Sequence, residues 1–199
     1  MNYKEIINSI NNKKLEPIYF LMGNESYYID MLCNKFSKNI LEPEQKSFNQ
    51  VILYGRETTA EKIITESKQF PFGAEKRIVI VKEAQQLKNI EVLDSYIDNP
   101  QLSTVLIIAY KGKSIDKRKK FGKNLNKKCV VFNSNKLYND KIPEWILAYL
   151  NNNGYKINAS TAAILSEYLG ADLSKISNEL DKLMLISKIE KEITIELIE

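Results

Sequence analysis

Three stretches of the chain contain residue types whose spacing could do chemistry or carry a binding site. The first is Ile18-Tyr19-Phe20-Leu21-Met22-Gly23, an unbroken apolar run closed by glycine, after which Tyr27, Tyr28, Met31, Leu32, Phe36 and Ile40 recur at helical spacing. A strand, a glycine turn and a helix in that order can hold phosphate, because amides converge at the helix N-terminus. Nucleotide phosphate needs a glycine, four residues and then Gly-Lys-Ser/Thr, with lysine on the β- and γ-phosphates and the hydroxyl on magnesium. Counted from Gly23, those last three positions hold Tyr28, Ile29 and Asp30. Isoleucine offers no charge to set against phosphate, and Tyr28 obstructs the close backbone approach that glycine allows. Gly23, Asn24, Glu25 and Tyr28 therefore read as a degenerate phosphate loop. The apolar run where a metal-binding acid would stand ends Val81-Lys82-Glu83, with lysine in the critical place and Glu83 as the remaining candidate acid.

The second stretch is basic. Lys111, Lys113, Lys117, Arg118, Lys119, Lys120, Lys123 and Lys127 crowd one segment. A solvated helix face would account for them, and so would contact with DNA phosphates, which confers salt-dependent affinity without base selectivity. The net charge of +4 and pI near 8.8 are compatible with a polyanion nearby and do not demonstrate one. The third stretch is Gln69-Phe70-Pro71-Phe72-Gly73, where a helix hands over to the apolar run Ile78-Val79-Ile80-Val81. Polar turn residues usually fill such a junction, and Pro71 and Gly73 stop either element from continuing through it. Two aromatic rings on a stiffened loop read either as a plug for a partner's pocket or as core tucked under the sheet edge.

Absences narrow the chemistry further. Histidine does not occur, which removes imidazole metal sites, Ser-His-Asp triads and Cys-His dyads. The only cysteines, Cys33 and Cys129, lie far apart in apolar surroundings and read as buried free thiols of a reducing compartment. No metal site and no cofactor is expected. No run approaches the length of a membrane span, and Met1-Asn2-Tyr3-Lys4-Glu5 lacks the apolar core of a signal peptide, so the expected location is the cytoplasm.

The elements that must position these stretches follow from apolar periodicity. The 199 residues are 44% apolar and 27% charged, ordinary for a globular protein and enough for one large domain or a medium and a small one. Ile6, Ile7, Ile10 and Leu15 suggest an opening helix before the Ile18–Gly23 strand. Phe48 to Tyr54 reads as a second strand, and Thr58 or Thr59 can cap a helix carrying Ala60, Ile63, Ile64 and Ser67. Ile78–Val81 is the third strand, with Leu87, Ile90, Leu93, Tyr96 and Ile97 on a helix after it. Thr104–Tyr110 and Cys129–Phe132 are the fourth and fifth. Five apolar strands alternating with helices predict an α/β fold with a five-stranded, doubly wound parallel sheet.

Beyond Phe132 the sequence reads as helix only. Ile142, Trp145, Ile146, Tyr149 and Leu150 form one stripe, stopped at Asn153-Gly154. Ser160 can cap a second helix bearing Ala163, Ile164 and Tyr168, and Asp172 a third bearing Leu173, Ile176, Leu180, Leu183 and Ile186. The expected division is an α/β domain over 1–138 and a small three-helix domain over 139–199.

Four blocks, in order and spanning nearly the whole chain, resemble the delta subunit of the bacterial DNA polymerase III clamp loader. They are Pro17 to Glu25, Gln69 to Val81, Ile115 to Lys120, and Leu169-Gly170-Ala171-Asp172-Leu173-Ser174-Lys175-Ile176-Ser177-Asn178-Glu179-Leu180-Asp181-Lys182-Leu183. The second and fourth are the specific ones. The resemblance implies an AAA+-like P-loop NTPase fold with a non-functional nucleotide site, followed by a helical lid domain. It implies a subunit without catalysis of its own, inside a holoenzyme classed as a DNA-directed DNA polymerase and nucleotidyltransferase. Such a subunit binds the β sliding clamp and opens the ring for loading on primed DNA, alongside tau/gamma and delta prime subunits, at the replisome on the nucleoid. The family's clamp-contacting apolar pair falls here on Pro71 and Phe72, with Gln69, Phe70 and Gly73 adjacent; the pair is Pro-Phe where some relatives have Leu-Phe. Lys113, Lys117, Arg118, Lys119 and Lys120 become candidate contacts to DNA or a neighbouring subunit. The family continues into a collar domain, which this chain, ending Ile195-Glu196-Leu197-Ile198-Glu199, is expected to lack. Two other readings remain: a P-loop ATPase or small-molecule kinase, which needs a lysine and a hydroxyl that the first turn does not supply, and a plain DNA-binding module using the Lys111 to Lys128 segment.

Overall fold

The computed structural model describes residues 1–198; Glu199, the last residue of the expected helical domain, lies outside the described residues. The chain divides into two compact units, Met1–Asn135 and a second beginning at Lys136.

The first unit is a five-stranded parallel sheet in the order β2-β3-β4-β1-β5. Its strands are β1 (Ile18–Gly23), β2 (Gln50–Tyr54), β3 (Arg77–Lys82), β4 (Thr104–Lys111) and β5 (Val130–Ser134). The three central strands are buried almost end to end, as expected of parallel strands covered on both faces, whereas the edge strand β2 alternates half-buried and exposed. Register is set by β1, where Ile18 lies opposite Leu106 of β4 and Leu21 opposite Phe132 of β5.

Two apolar layers flank the sheet. On one face, α1 (Tyr3–Asn11) and α2 (Ser26–Asn39) bury Ile6, Ile10, Ile29, Leu32, Cys33 and Phe36 against Tyr19, Leu21, Ile80 and Ile107. On the other, α4 (Ala60–Lys68), α5 (Asp94–Asp98) and α6 (Lys120–Lys128) bury Ala60, Ile63, Tyr96, Ile97, Phe121 and Leu125 against Phe20, Met22, Val79 and Ile108. Odd and even positions of the same strand thus feed opposite layers.

Local differences from the periodicity have physical causes. The second strand begins at Gln50, because Phe48 belongs to a helix, α3 (Pro43–Asn49), whose Pro43 sits in its first turn and whose N-cap residue Glu42 donates its amide to Gln45 Oε1 at 3.3 Å. After β3, the expected single helix is two 3-10 turns, Ala84–Gln86 and Ile90–Leu93, before the five-residue α5; Glu83 and Asn89, both at positive φ, interrupt it. Thr59, not Thr58, caps α4. Leu15 lies beyond the end of α1.

The second unit carries α7 (Ile142–Asn152), α8 (Ala159–Leu169) and α9 (Leu173–Ile186), which bury Ile146, Leu150, Leu165, Ile176 and Leu180. Asn158 rather than Ser160 caps α8, accepting from the Thr161 amide at 2.7 Å, and Asp172 caps α9 through the Ser174 and Lys175 amides. The unit is not purely helical, since β6 (Lys156–Ile157) and β7 (Glu192–Ile193) pair in parallel. Ile186, at the end of the apolar stripe of α9, is exposed.

Candidate functional site

The C-terminal edge of the sheet is where the phosphate motif would operate. Only Asn24 and Glu25 separate β1 from α2, so Tyr28, Ile29 and Asp30 already lie in the helix and no loop is available to wrap a phosphate. Gly23 takes φ +126°, and a Cβ there would collide with the Ser134 carbonyl of β5. Only glycine permits so close an approach. The approach closes the turn. The Asn24 and Glu25 amides both donate to the Ser134 carbonyl, at 2.8 and 3.3 Å, and Ser134 Oγ donates back to the Glu25 carbonyl at 2.6 Å. The Gly23 amide donates to Lys113 C=O at 3.2 Å. Amides that would face a phosphate are thus turned onto the chain itself.

Charge follows the same logic. The buried Glu25 carboxylate accepts from the Tyr27 amide at 3.2 Å, putting an internal anion at the N-terminus of α2 where an external one would otherwise be favoured. Ile29 is fully buried among the apolar residues of its layer. Asp30, at the position of the magnesium-binding hydroxyl, is bridged by Lys111 Nζ at 2.6 and 2.8 Å to its two oxygens. The Tyr28 ring packs edge-on against Tyr3 at 5.2 Å and Tyr27 at 5.4 Å. Glu83 is exposed, and Lys82 is half-buried at the end of β3. Among the described residues, no group of three or more Cys, Asp or Glu side chains could hold a metal ion.

The opposite edge of the sheet carries the aromatic loop. Here α4 ends at Lys68, Gln69 turns extended, and β3 begins at Arg77. Phe70 and Phe72 are 76% and 72% exposed, which excludes the reading that both rings are tucked under the sheet. The loop backbone is nonetheless held. Asn49, fully buried at the end of α3, accepts from the Phe72 amide at 2.7 Å and donates to the Phe72 carbonyl at 2.8 Å, while also donating to Gln45 C=O at 3.0 Å. Gln45 Nε2 reaches the Gly73 carbonyl at 3.2 Å. Phe48, itself 64% exposed, packs its ring 5.6 Å from that of Phe72. Arg77 ties the base together: buried, it donates to the Glu66 carbonyl (3.0 Å), the Phe48 carbonyl (2.8 Å) and the Glu66 carboxylate (2.6 Å). One guanidinium therefore satisfies helix-end carbonyls of both α3 and α4.

The aromatic loop and the closed turn both lie within the region covered by a family model for DNA polymerase III, delta subunit, which matches residues 19–135, more than half of the chain. The chain belongs to the DNA polymerase III delta subunit family. It is 25% identical to DNA polymerase III subunit delta of Bacillus subtilis over 202 residues, 96% of this chain and 58% of that protein. The solved clamp loader delta protein of Bacillus subtilis matches with a TM-score of 0.76 at 25% identity, covering 98% of this chain and 61% of that one. The chain thus spans about three fifths of the length of these relatives. Fold alone is shared with two Thermotoga maritima structures. One is the RuvB Holliday junction branch migration motor, with a TM-score of 0.52 at 9% identity over 98% of this chain and 64% of that one. The other is a DNA polymerase III gamma subunit-related protein, with a TM-score of 0.52 at 14% identity over 94% and 62%. This delta-family chain therefore has the AAA+-like arrangement of a parallel sheet with flanking helices and a helical C-terminal region.

The basic segment of this delta-family chain is less uniform than its composition. Arg118 is bound to Asp116 by its own guanidinium, at 3.1 and 3.0 Å, and Lys113 lies over the Tyr110 ring at 5.4 Å. Lys117, Lys119 and Lys120 are exposed and form no ion pair among the described residues. Lys119 and Lys120 border a cleft of about 760 Å³ that Glu91, Asp94 and Asp116 also line, so the local field is mixed. Burial pushes the Cys33 thiol up to about 12, with the Asp30 carboxylate adding to it, and burial does the same for Cys129 beside Asp94. Neither thiol is a nucleophile at neutral pH. Among the described residues no helix is long and apolar enough to cross a membrane.

Phe48, Asn49 and Arg77 are the residues that periodicity missed. Pro43 followed by Glu44 and Gln45 is a helix-start signal that could have revealed α3.

Proposed function

We propose that this chain binds the β sliding clamp through Gln69, Phe70, Pro71, Phe72 and Gly73 and holds one ring interface open for loading on primed DNA. The single observation that carries the reading is the exposure of Phe70 and Phe72 on a loop whose backbone is tied down by Asn49 and Gln45. A solvated ring on a fixed backbone loses little conformational entropy on docking and removes much apolar area from water. Family membership supports the choice of partner.

Ring opening then needs no chemistry from this chain. A protein shifts the ring between closed and open states only by its differential affinity for them. Binding is accordingly tighter to a monomeric or interface-weakened clamp than to the closed ring, and equal affinity for both would remove the mechanism. The ATP-driven rearrangement falls to sister subunits of the loader, whose members include tau/gamma and delta prime, because the first turn here is closed onto Ser134 and carries its own carboxylate. Lys113, Lys117, Arg118, Lys119 and Lys120 supply a weaker, salt-sensitive contact with DNA or a neighbouring subunit. The working place is the cytoplasmic replisome.

The test is capture of the sliding clamp from the same organism by wild type and by Phe72→Ala. Capture lost in a variant with unchanged melting is the expected result; capture retained overturns the docking reading.

A further inference from the structure

We infer that the end of α3 is part of the docking device: Asn49 is a positioning residue that sets the direction of Phe72, and Phe48 is a further ring of the contact, seated with Phe72 against one apolar pocket of the clamp. The inference rests on the proposed clamp docking and extends it to residues outside the Gln69–Gly73 loop.

The geometry of Asn49 is specific. A primary amide that accepts from a residue's N–H and donates to the same residue's C=O reproduces the pairing of a neighbouring strand, here for Phe72 alone, at 2.7 and 2.8 Å. Both peptide groups flanking the Phe72 Cα are thereby fixed, and with them the line along which its side chain leaves the backbone. Asn49 is fully buried, so water does not readily replace these partners if the loop swings away. Pro71 restricts the loop on one side, and Gly73, at φ +61° with open space at its Cβ position, turns it on the other. Phe70 has no comparable clamp among the described residues.

Phe48 completes the arrangement. Its ring lies against that of Phe72 with centroids 5.6 Å apart at 55°, yet it is 64% exposed, so the pair narrows the ring orientations of Phe72 and still offers apolar area outward. Its backbone carbonyl is held by Arg77 at 2.8 Å, which links the ring's position to the start of β3. The two rings come from segments far apart in sequence, and of the hydrogen bonds that tie α3 to the loop, those of Asn49 are the ones made to Phe72 itself, while Gln45 holds the adjacent Gly73 carbonyl. A pocket that takes Phe72 in this direction also meets Phe48.

The test measures affinity of the full chain for the sliding clamp of the same organism, by surface plasmon resonance, for wild type, Phe72→Ala, Phe48→Ala, Asn49→Ala, Asn49→Asp and the double variant Asn49→Ala/Phe72→Ala. Melting is recorded for each. Expected are a loss of about tenfold for Asn49→Ala, a smaller loss of about fivefold for exposed Phe48→Ala at unchanged melting, and an intermediate loss for Asn49→Asp, which keeps the acceptor and removes the donor. In the Phe72→Ala background, Asn49→Ala should cost less than about twofold more, because the ring it aims is gone. A merely structural Asn49 would cost the same factor in both backgrounds, and that result overturns the inference. So does wild-type affinity in Phe48→Ala, a variant at an exposed position that keeps the question answerable if Asn49→Ala folds poorly. Should Phe72→Ala itself bind like wild type, the docking reading falls first and this inference with it; loss in Phe72→Ala without loss in Asn49→Ala or Phe48→Ala removes the inference alone.

Discussion

The two edges of the sheet in the first unit have opposite chemistry. At the C-terminal edge, the polar features of the first turn are matched within the chain: amides with Ser134, the helix N-terminus with Glu25, and Asp30 with Lys111. At the N-terminal edge the polar backbone is equally well satisfied, by Asn49, Gln45 and Arg77, but the apolar rings of Phe48, Phe70 and Phe72 are left in water. Hydrogen bonds saturate locally and then offer a partner nothing; exposed apolar area remains available until something covers it. One edge has thus turned its polar groups onto the chain itself, and the opposite edge leaves apolar area uncovered, which the proposed docking would use.

That contrast can be broken at either end, and the largest effect belongs to the closed turn. Gly23→Ala forces a Cβ into the Ser134 backbone at φ +126°, and should cost about 3 kcal/mol or more in urea unfolding, with clamp binding lost only as the fold is lost. Restoring the motif letters with Tyr28→Gly, Ile29→Lys and Asp30→Thr should destabilise comparably, since position 29 is buried, and isothermal titration should still detect no ATP binding. If the repaired chain bound ATP, the turn would not be closed in the sense described.

At the aromatic edge the expected loss is in affinity. Phe72→Ala should weaken clamp binding by about 2 kcal/mol, roughly thirtyfold, with melting unchanged because the ring is solvated. Gly73→Ala sharpens the comparison with Gly23, because it meets open space and only the φ of +61° opposes it. About 1 kcal/mol of stability is the expected cost, a fraction of that at Gly23.

The last effect concerns the buried Cys33 and the half-buried Cys129, and it is absent at neutral pH. Cys33 and Cys129 are held near 12 in the folded chain against an ordinary value of 9, so above about pH 9 the unfolded chain releases protons that the folded chain keeps. Stability therefore falls as pH rises from about 9 towards 12 and is unaffected by these groups below that window. Denaturation midpoints across it should decline less steeply in Cys33→Ala than in wild type.

Much of this was legible without coordinates. Apolar runs such as Ile78–Val81 and Thr104–Tyr110 announced buried parallel strands because a strand covered on both faces has no polar positions to spare. Gly23 and Asp172 were legible for the same kind of reason, since local backbone demands select residue type directly. The third helix was not, because Phe48, only Asn49 and Gln50 away from the apolar run of β2, reads as its start and disguises the end of α3 as strand.

By itself, then, the sequence determined the five strands of the large sheet and most of the helices, the defective phosphate motif, and the presence of two rings on a stiffened loop, all properties of neighbouring residues. Tertiary structure alone decided whether those rings are core or surface, that Asn49 and Arg77 hold the loop from distant elements, and that Ser134 and Lys111 close the opposite edge. Exposure and hydrogen-bond partnership depend on which segments the sheet order brings side by side, and residues far apart in the chain carry no local signal of that encounter.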